Sequence, residues 1–159
     1  LVTEELSRVW LSVGSVMTRM LISGGLILNA GTEEQKRRWL PGIASGDILP
    51  AAAFTEPNAG SDTAGMQFKA VKRDERTYVL NGAKTWITFA NRANLMTVLA
   101  RTDPDPSKRH KGLSMIVVEK EPGNNFIGMF MRVVFHIPSP WRGSIKYADQ
   151  FVNNYFKFS

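Results

Sequence analysis

The chain has 159 residues, no cysteine, and 20 Lys+Arg against 14 Asp+Glu, for a formal charge of +6. That length allows one domain, or one domain with part of another. The missing thiols exclude a disulfide framework, a thiolate zinc site and a cysteine nucleophile. Two distant histidines, His110 and His136, argue against a histidine-rich metal centre. The chain begins at Leu1 with no signal-peptide pattern, which reads as a segment of a longer protein. Its cations cluster at Lys36-Arg37-Arg38 and at Lys108-Arg109-His110-Lys111 without interleaved aromatics. Solvated faces, or attraction of a polyanionic small ligand, are therefore expected, and nucleic acid is not.

The first predicted element is a helix over 4–29, from apolar residues recurring at three- and four-residue steps. Thr3 is its expected N-cap and Gly31 its end. Arg19, with several serines and glycines, interrupts the apolar run 11–28, so an amphipathic helix is expected and no membrane span. A second helix starts at Thr32, where Thr32 and Gln35 fit a capping box, and Pro41 closes or bends it. Residues 42–47 read as a turn-rich exit. From Ile48 the pattern changes to short apolar or alternating runs. Strands are expected at 49–55, 66–73, 76–82, 84–89, 94–102 and 112–120, with turns at Asp74-Glu75 and Asn81-Gly82.

The fold class is thus α+β, with two helices followed by an antiparallel, barrel-like sheet. The expected division is a helical segment 1–47, a β domain 48–152 that diverges over 127–152, and a tail 153–159. Weaker strand signals lie at 126–135 and 145–152. The stretch 122–159 carries nine of the sixteen aromatics, and Asp149 is its only acid.

Several chemistries lack their motif. No G-x-G-x-x-G or H-E-x-x-H occurs, Met66-Gln67 stands where a P-loop needs Lys-Ser/Thr, and Thr63 spoils a nucleophile elbow at Ser61. Two stretches do carry chemistry. In Ala52-Ala53-Phe54-Thr55-Glu56-Pro57-Asn58-Ala59-Gly60-Ser61-Asp62, an apolar strand runs into a turn that can aim amides and a hydroxyl into one concavity. A plain strand and turn would have the same composition. In Lys84-Thr85-Trp86-Ile87-Thr88, a strand would set Lys84, Trp86 and Thr88 on one face, an indole beside a hydroxyl. An indole can pack on a flat heteroaromatic ring and the hydroxyl can bond its edge. A core tryptophan with a ladder threonine is the simpler alternative.

Taken together, these stretches resemble the acyl-CoA dehydrogenases. The run from Gly31 through Asp62 is similar to the family's "GT-x-EQK…LP…ASG…TEPxAGSD", and Asn81 through Thr88 to its "NGxKxWIT". Ala100-Arg101-Thr102-Asp103, Lys111-Gly112-Leu113-Ser114, Val118-Glu119-Lys120 and Pro122-Gly123 continue the likeness, to about residue 126. The resemblance implies an N-terminal helical domain, a central β domain and a C-terminal four-helix domain, of which this chain supplies the end of the first and most of the second. It implies FAD-dependent oxidation of an acyl-CoA thioester to the 2,3-enoyl-CoA, with electrons passed to an electron-transferring flavoprotein. It also implies a homotetramer or homodimer for the intact protein. Ala52, Phe54, Thr55, Gly60, Ser61, Trp86, Ile87 and Thr88 would line the FAD, and Ser61 would also face the acyl-CoA. Trp86 would pack beside the flavin ring and Thr88 would hydrogen-bond towards N5. Glu56 takes a structural role, and the catalytic base is expected beyond Ser159. Arg101-Thr102-Asp103 and the hydrophilic loop to Lys111 resemble members acting on branched or dicarboxylic acyl-CoA. An acyl-CoA oxidase or flavin monooxygenase is the alternative within the fold. Outside the family, a non-enzymatic module binding an anion or a protein is the other. The implied compartment is a bacterial cytoplasm, or the mitochondrial matrix in a eukaryote.

Overall fold

The computed structural model describes residues 1–74 and 77–119, and the backbone of 131–136. The expected first helix is two helices, α1 (Val2–Val9) and α2 (Leu11–Ala30), broken where Trp10 is extended at φ −152°. Periodicity misses this break because one non-helical residue barely disturbs the apolar spacing. Gly14 shows how closely the two helices pack, since a Cβ there would collide with Ser7 Oγ. Thr3 is not the N-cap. Leu1 holds that position without a side-chain bond, and the Thr3 carbonyl instead accepts from Ser7 Oγ. Gly31 does end α2.

Helix α3 (Glu33–Ser45) opens with the expected capping box. The Gln35 amide donates to Thr32 Oγ1 at 3.2 Å, and the Thr32 amide to Gln35 Oε1 at 2.8 Å. Pro41 lies inside this helix and does not close it, and the helix stops at Gly46, which adopts φ 87°. That left-handed cap favours glycine.

The helices are followed by a sheet of β1 (Pro50–Ala53), β2 (Lys69–Lys72), β3 (Thr77–Gly82), β4 (Leu95–Arg101), β5 (Leu113–Glu119) and β6 (Met131–His136). Helices followed by a sheet is the expected architecture, but the sheet is mixed. Strands β1 and β2 run parallel to β4, whereas the β2–β3, β3–β6 and β4–β5 pairs are antiparallel. The β2–β3 hairpin closes with the Arg73 amide donating to the Thr77 carbonyl. Glu75 of its predicted turn and the strand signal at 145–152 lie outside the described residues.

Strand β4 is covered on both faces, which explains its unbroken apolar run. Leu95, Thr97 and Leu99 meet the helices, and Met96, Val98 and Ala100 enter a core with Phe68 and Leu80. By length and composition α2 is apolar enough to cross a membrane. Here it packs on the sheet through Leu26 and Ile27, with buried Ser23 Oγ 3.2 Å from Thr97 Oγ1.

Two predicted elements are absent. Residues 84–89 form a loop, because Trp86 and Phe89 adopt φ 57° and 62°, outside strand geometry. Asn81-Gly82 is the end of β3 and not a turn, Asn81 pairing with Lys69. Gly82, at φ 141°, is needed because a Cβ would meet Phe68 Cα at 2.9 Å.

Candidate functional site

Strand β5 occupies one edge of β4 along its whole length, so β1 and β2 share the other. Strand β1 follows β4 only as far as Ala53 opposite Val98, and β2 takes over at Arg101. Between them the chain leaves the sheet over 54–68. Both chemistry-bearing stretches meet beside this handover.

The first stretch makes a tight turn. The Glu56 amide donates to the Ala59 carbonyl at 2.8 Å, and the Ala59 amide returns a bond at 3.3 Å. Ala52, Phe54 and Thr55 are half-buried before the turn. Gly60 and Ser61 are exposed beyond it, with nothing within 4 Å of a Cβ built on Gly60. The second stretch is joined to the first where the Thr85 amide donates to the Thr55 carbonyl at 3.0 Å. Trp86 follows at once, 88% exposed, and Thr88 is exposed as well. Ile87 points the other way and packs on the core. The sidedness expected of a strand therefore survives in a loop for Trp86, Ile87 and Thr88.

Lys84 departs from that expectation. Its side chain is turned inward and 4% exposed, against the 5% exposed Glu56. The ammonium donates to Glu56 Oε1 and to the Phe54 carbonyl, each at 2.9 Å, and to Met66 Sδ at 3.6 Å. It also lies 5.0 Å from the centre of the Phe68 ring. Glu56 further accepts from the Gln67 amide at 2.7 Å and the Phe68 amide at 3.0 Å. Burial lowers the Lys84 pKa, and the hydrogen bond and charge of Glu56 oppose that shift. Both carboxylate oxygens of Glu56 and the Lys84 ammonium are thus engaged inside the fold, so Glu56 is structural and unavailable as a base. Lys84 was missed as a site residue by the sequence reading. A lone lysine in an otherwise apolar and hydroxyl-bearing run was the available signal.

Arg101 is committed in a similar way. Its guanidinium donates to the carbonyls of Ala64 at 2.7 Å, Met66 at 3.2 Å and Arg109 at 3.3 Å. The Arg101 side chain is thus used to fold the loop between Asp62 and Lys111. Lys108 pairs with Asp103, and Arg109 approaches Asp62 at 3.9 Å. In the other cluster Lys36 pairs with Glu33 and Arg38 with Glu119. The conspicuous cations are largely engaged in intramolecular pairs. Among the described residues, no group of three or more His, Asp or Glu is arranged to hold a metal.

The model of the acyl-CoA dehydrogenase N-terminal domain matches residues 1–47, and that of the acyl-CoA dehydrogenase middle domain matches residues 51–130. The chain is 52% identical over 124 residues to a (2S)-methylsuccinyl-CoA dehydrogenase of Cereibacter sphaeroides, covering 78% of this chain and 22% of that one. It is 40% identical over 125 residues to an acyl-CoA dehydrogenase of Bacillus subtilis, covering 77% and 32%. Its fold is similar to butyryl-CoA dehydrogenase from Megasphaera elsdenii, with TM-score 0.69 and 34% identity over 84% of this chain and 38% of that structure. The chain thus spans well under half the length of these relatives. It belongs to the acyl-CoA dehydrogenase family.

Proposed function

We propose that this chain supplies one wall of an FAD and acyl-CoA site in an enzyme that oxidises acyl-CoA thioesters to 2,3-enoyl-CoA. The observation that carries the reading is Trp86, a large indole left 88% exposed at the end of a loop fastened to the Phe54–Ser61 turn. An indole left in solvent two residues from an exposed hydroxyl can stack on a flat heteroaromatic ligand. Proteins of this family use FAD, and the residues fit such a group. The indole offers a flat apolar face, the Thr88 hydroxyl a hydrogen-bonding edge, and Gly60 an open approach for a ligand.

A bound FAD would supply the acceptor for the hydride leaving the β-carbon of the thioester. Trp86 would cover the flavin ring, the Thr88 hydroxyl would bond its edge, and Phe54 and Thr55 would border it. Ser61 would face both ring and acyl-CoA. In this reading the base comes from outside these residues, because the Glu56 carboxylate is buried and fully engaged. The same reading makes an electron-transferring flavoprotein the acceptor and the intact protein a homo-oligomer. Its compartment is then a bacterial cytoplasm, or the matrix in a eukaryote. The 52% identity to a methylsuccinyl-CoA dehydrogenase supports a branched or dicarboxylic acyl group as substrate.

Anaerobic mixing of the full-length, FAD-loaded protein with (2S)-methylsuccinyl-CoA tests this. Loss of the flavin visible absorbance with formation of the unsaturated thioester is expected. Rapid peroxide release in air without an added acceptor would reassign the chemistry to an oxidase. A protein that takes up no FAD would overturn the reading altogether.

A further inference from the structure

A buried ion pair contributes little to stability that a well-packed apolar pair could not, so its placement requires another account. The Lys84 and Glu56 side chains spend their bonds on the backbone of the segments that leave and rejoin the sheet: Phe54 on the way out, Gln67 and Phe68 on the way back. The residue after Lys84 adds the bond to Thr55. Beyond it the loop carries two non-glycine residues at positive φ, Trp86 and Phe89. Such conformations persist only where the surroundings over-determine them. The far end of the loop is held too, by the Ala93 amide on the Phe89 carbonyl and the Asn94 amide on the Leu49 carbonyl. The segment bearing Trp86 and Thr88 is therefore stretched between two anchors, and the Lys84–Glu56 pair is the anchor that also grips the opposing loop.

We propose that Lys84 and Glu56 are positioning residues that fix the spacing between the Phe54–Ser61 loop and the Trp86–Thr88 loop before the flavin arrives. The proposal rests on the flavin reading above and adds that the site is preformed by a buried charge pair.

The double variant Glu56→Gln/Lys84→Met removes both charges at similar volume, and its folding is checked by thermal melting. In the folded full-length variant, the FAD dissociation constant should rise by about tenfold, the scale of one lost well-placed contact. Flavin fluorescence should rise as Trp86 quenching relaxes. Turnover at saturating FAD should fall by about 10²-fold, as for a small misplacement, with the KM for acyl-CoA little changed. A folded double variant with the parent's FAD affinity and flavin fluorescence would reduce the pair to a structural feature. Hydrogen exchange on the unsubstituted protein decides the matter if the variant does not fold. The amides of Gln67, Phe68 and Thr85 should be protected equally without and with FAD. Protection that appears only with FAD would overturn a preformed site. FAD uptake by the parent is the control, and its failure would count against the flavin reading and not against the pair's spacing role.

Discussion

At the scale of single residues, the site is governed by what burial does to charge. Lys84→Met alone leaves the Glu56 carboxylate buried with only two amides for partners, and Glu56→Ala leaves the Lys84 ammonium with a carbonyl and a thioether. Breaking a buried pair from one side typically costs about 3–5 kcal/mol. Each single variant should therefore melt well below the double variant in a urea titration, and single variants that match the double would refute the pairing. Gly82 carries a second prediction. Gly82→Ala must place a Cβ 2.9 Å from the Phe68 backbone at φ 141°. A loss of about 2 kcal/mol or more is expected, since strain and a backbone clash add, and an unchanged denaturation midpoint would contradict it. The sequence showed the Asn-Gly pair but suggested the wrong reason for it. A hairpin turn and a close backbone approach both demand glycine, and only the position of Phe68 in the sheet separates them. Glu56 was legible as structural, but its lysine partner lies 28 residues away and no local pattern joins the two.

At the scale of elements, legibility follows the range of the forces involved. The capping box of α3 could be read because Thr32 and Gln35 are three residues apart and answer each other. Thr32→Ala should cost about 1 kcal/mol. The other tie of that helix could not be read. Glu119, at the end of β5, accepts from Arg38 Nε at 2.8 Å, Arg38 Nη2 at 2.7 Å and Trp39 Nε1 at 2.6 Å, with partners 80 and 81 residues distant. Burial would raise the Glu119 pKa, but the bonds from Arg38 and Trp39 and the Arg38 charge outweigh it and lower the value. A carboxylate lowered in the folded state gives stability that is fully present above its ordinary value of 4.5. That stability is lost as the pH falls through the folded value. The thermal midpoint should therefore drop more steeply below pH 4.5 in the parent than in Glu119→Gln. The pair is about half exposed, so solvent screening limits the difference to about 1 kcal/mol. Parallel acid limbs for the two proteins would sink this assignment. The loop at 84–89 was misread as a strand for a related reason. Its alternation is real, but the alternating sides come from anchoring at Thr85 and packing of Ile87, not from a ladder.

At the scale of the molecule, the sheet keeps its two tasks at opposite ends of the same strands. Glu119 is paired with Leu95, and Leu95 with Pro50, the first residue of β1. The helices are clamped at that end. The Phe54–Ser61 loop leaves after Ala53, at the other end of β1, where β4 changes partner from β1 to β2. This handover requires parallel pairs, and parallel pairing could not be read from strand patterns alone. Alternation reports which face is buried, not which way the neighbouring strand runs. The strand pattern reads as an antiparallel sheet, whereas β1 and β4 run parallel and are separated in sequence by both β2 and β3. Residues at separated sites with no shared partner usually act additively. Trp86→Ala removes an indole that is 88% exposed, so it should change stability by no more than about 0.5 kcal/mol while weakening FAD binding. Glu119→Gln should change acid stability and leave FAD affinity alone. The combined Trp86→Ala/Glu119→Gln variant should then show the sum of the two effects within about 0.5 kcal/mol, read by FAD titration and by melting at several pH values. Coupling beyond that margin would mean that the helix clamp reaches the flavin surface through the sheet, and the two ends would have to be treated as one site.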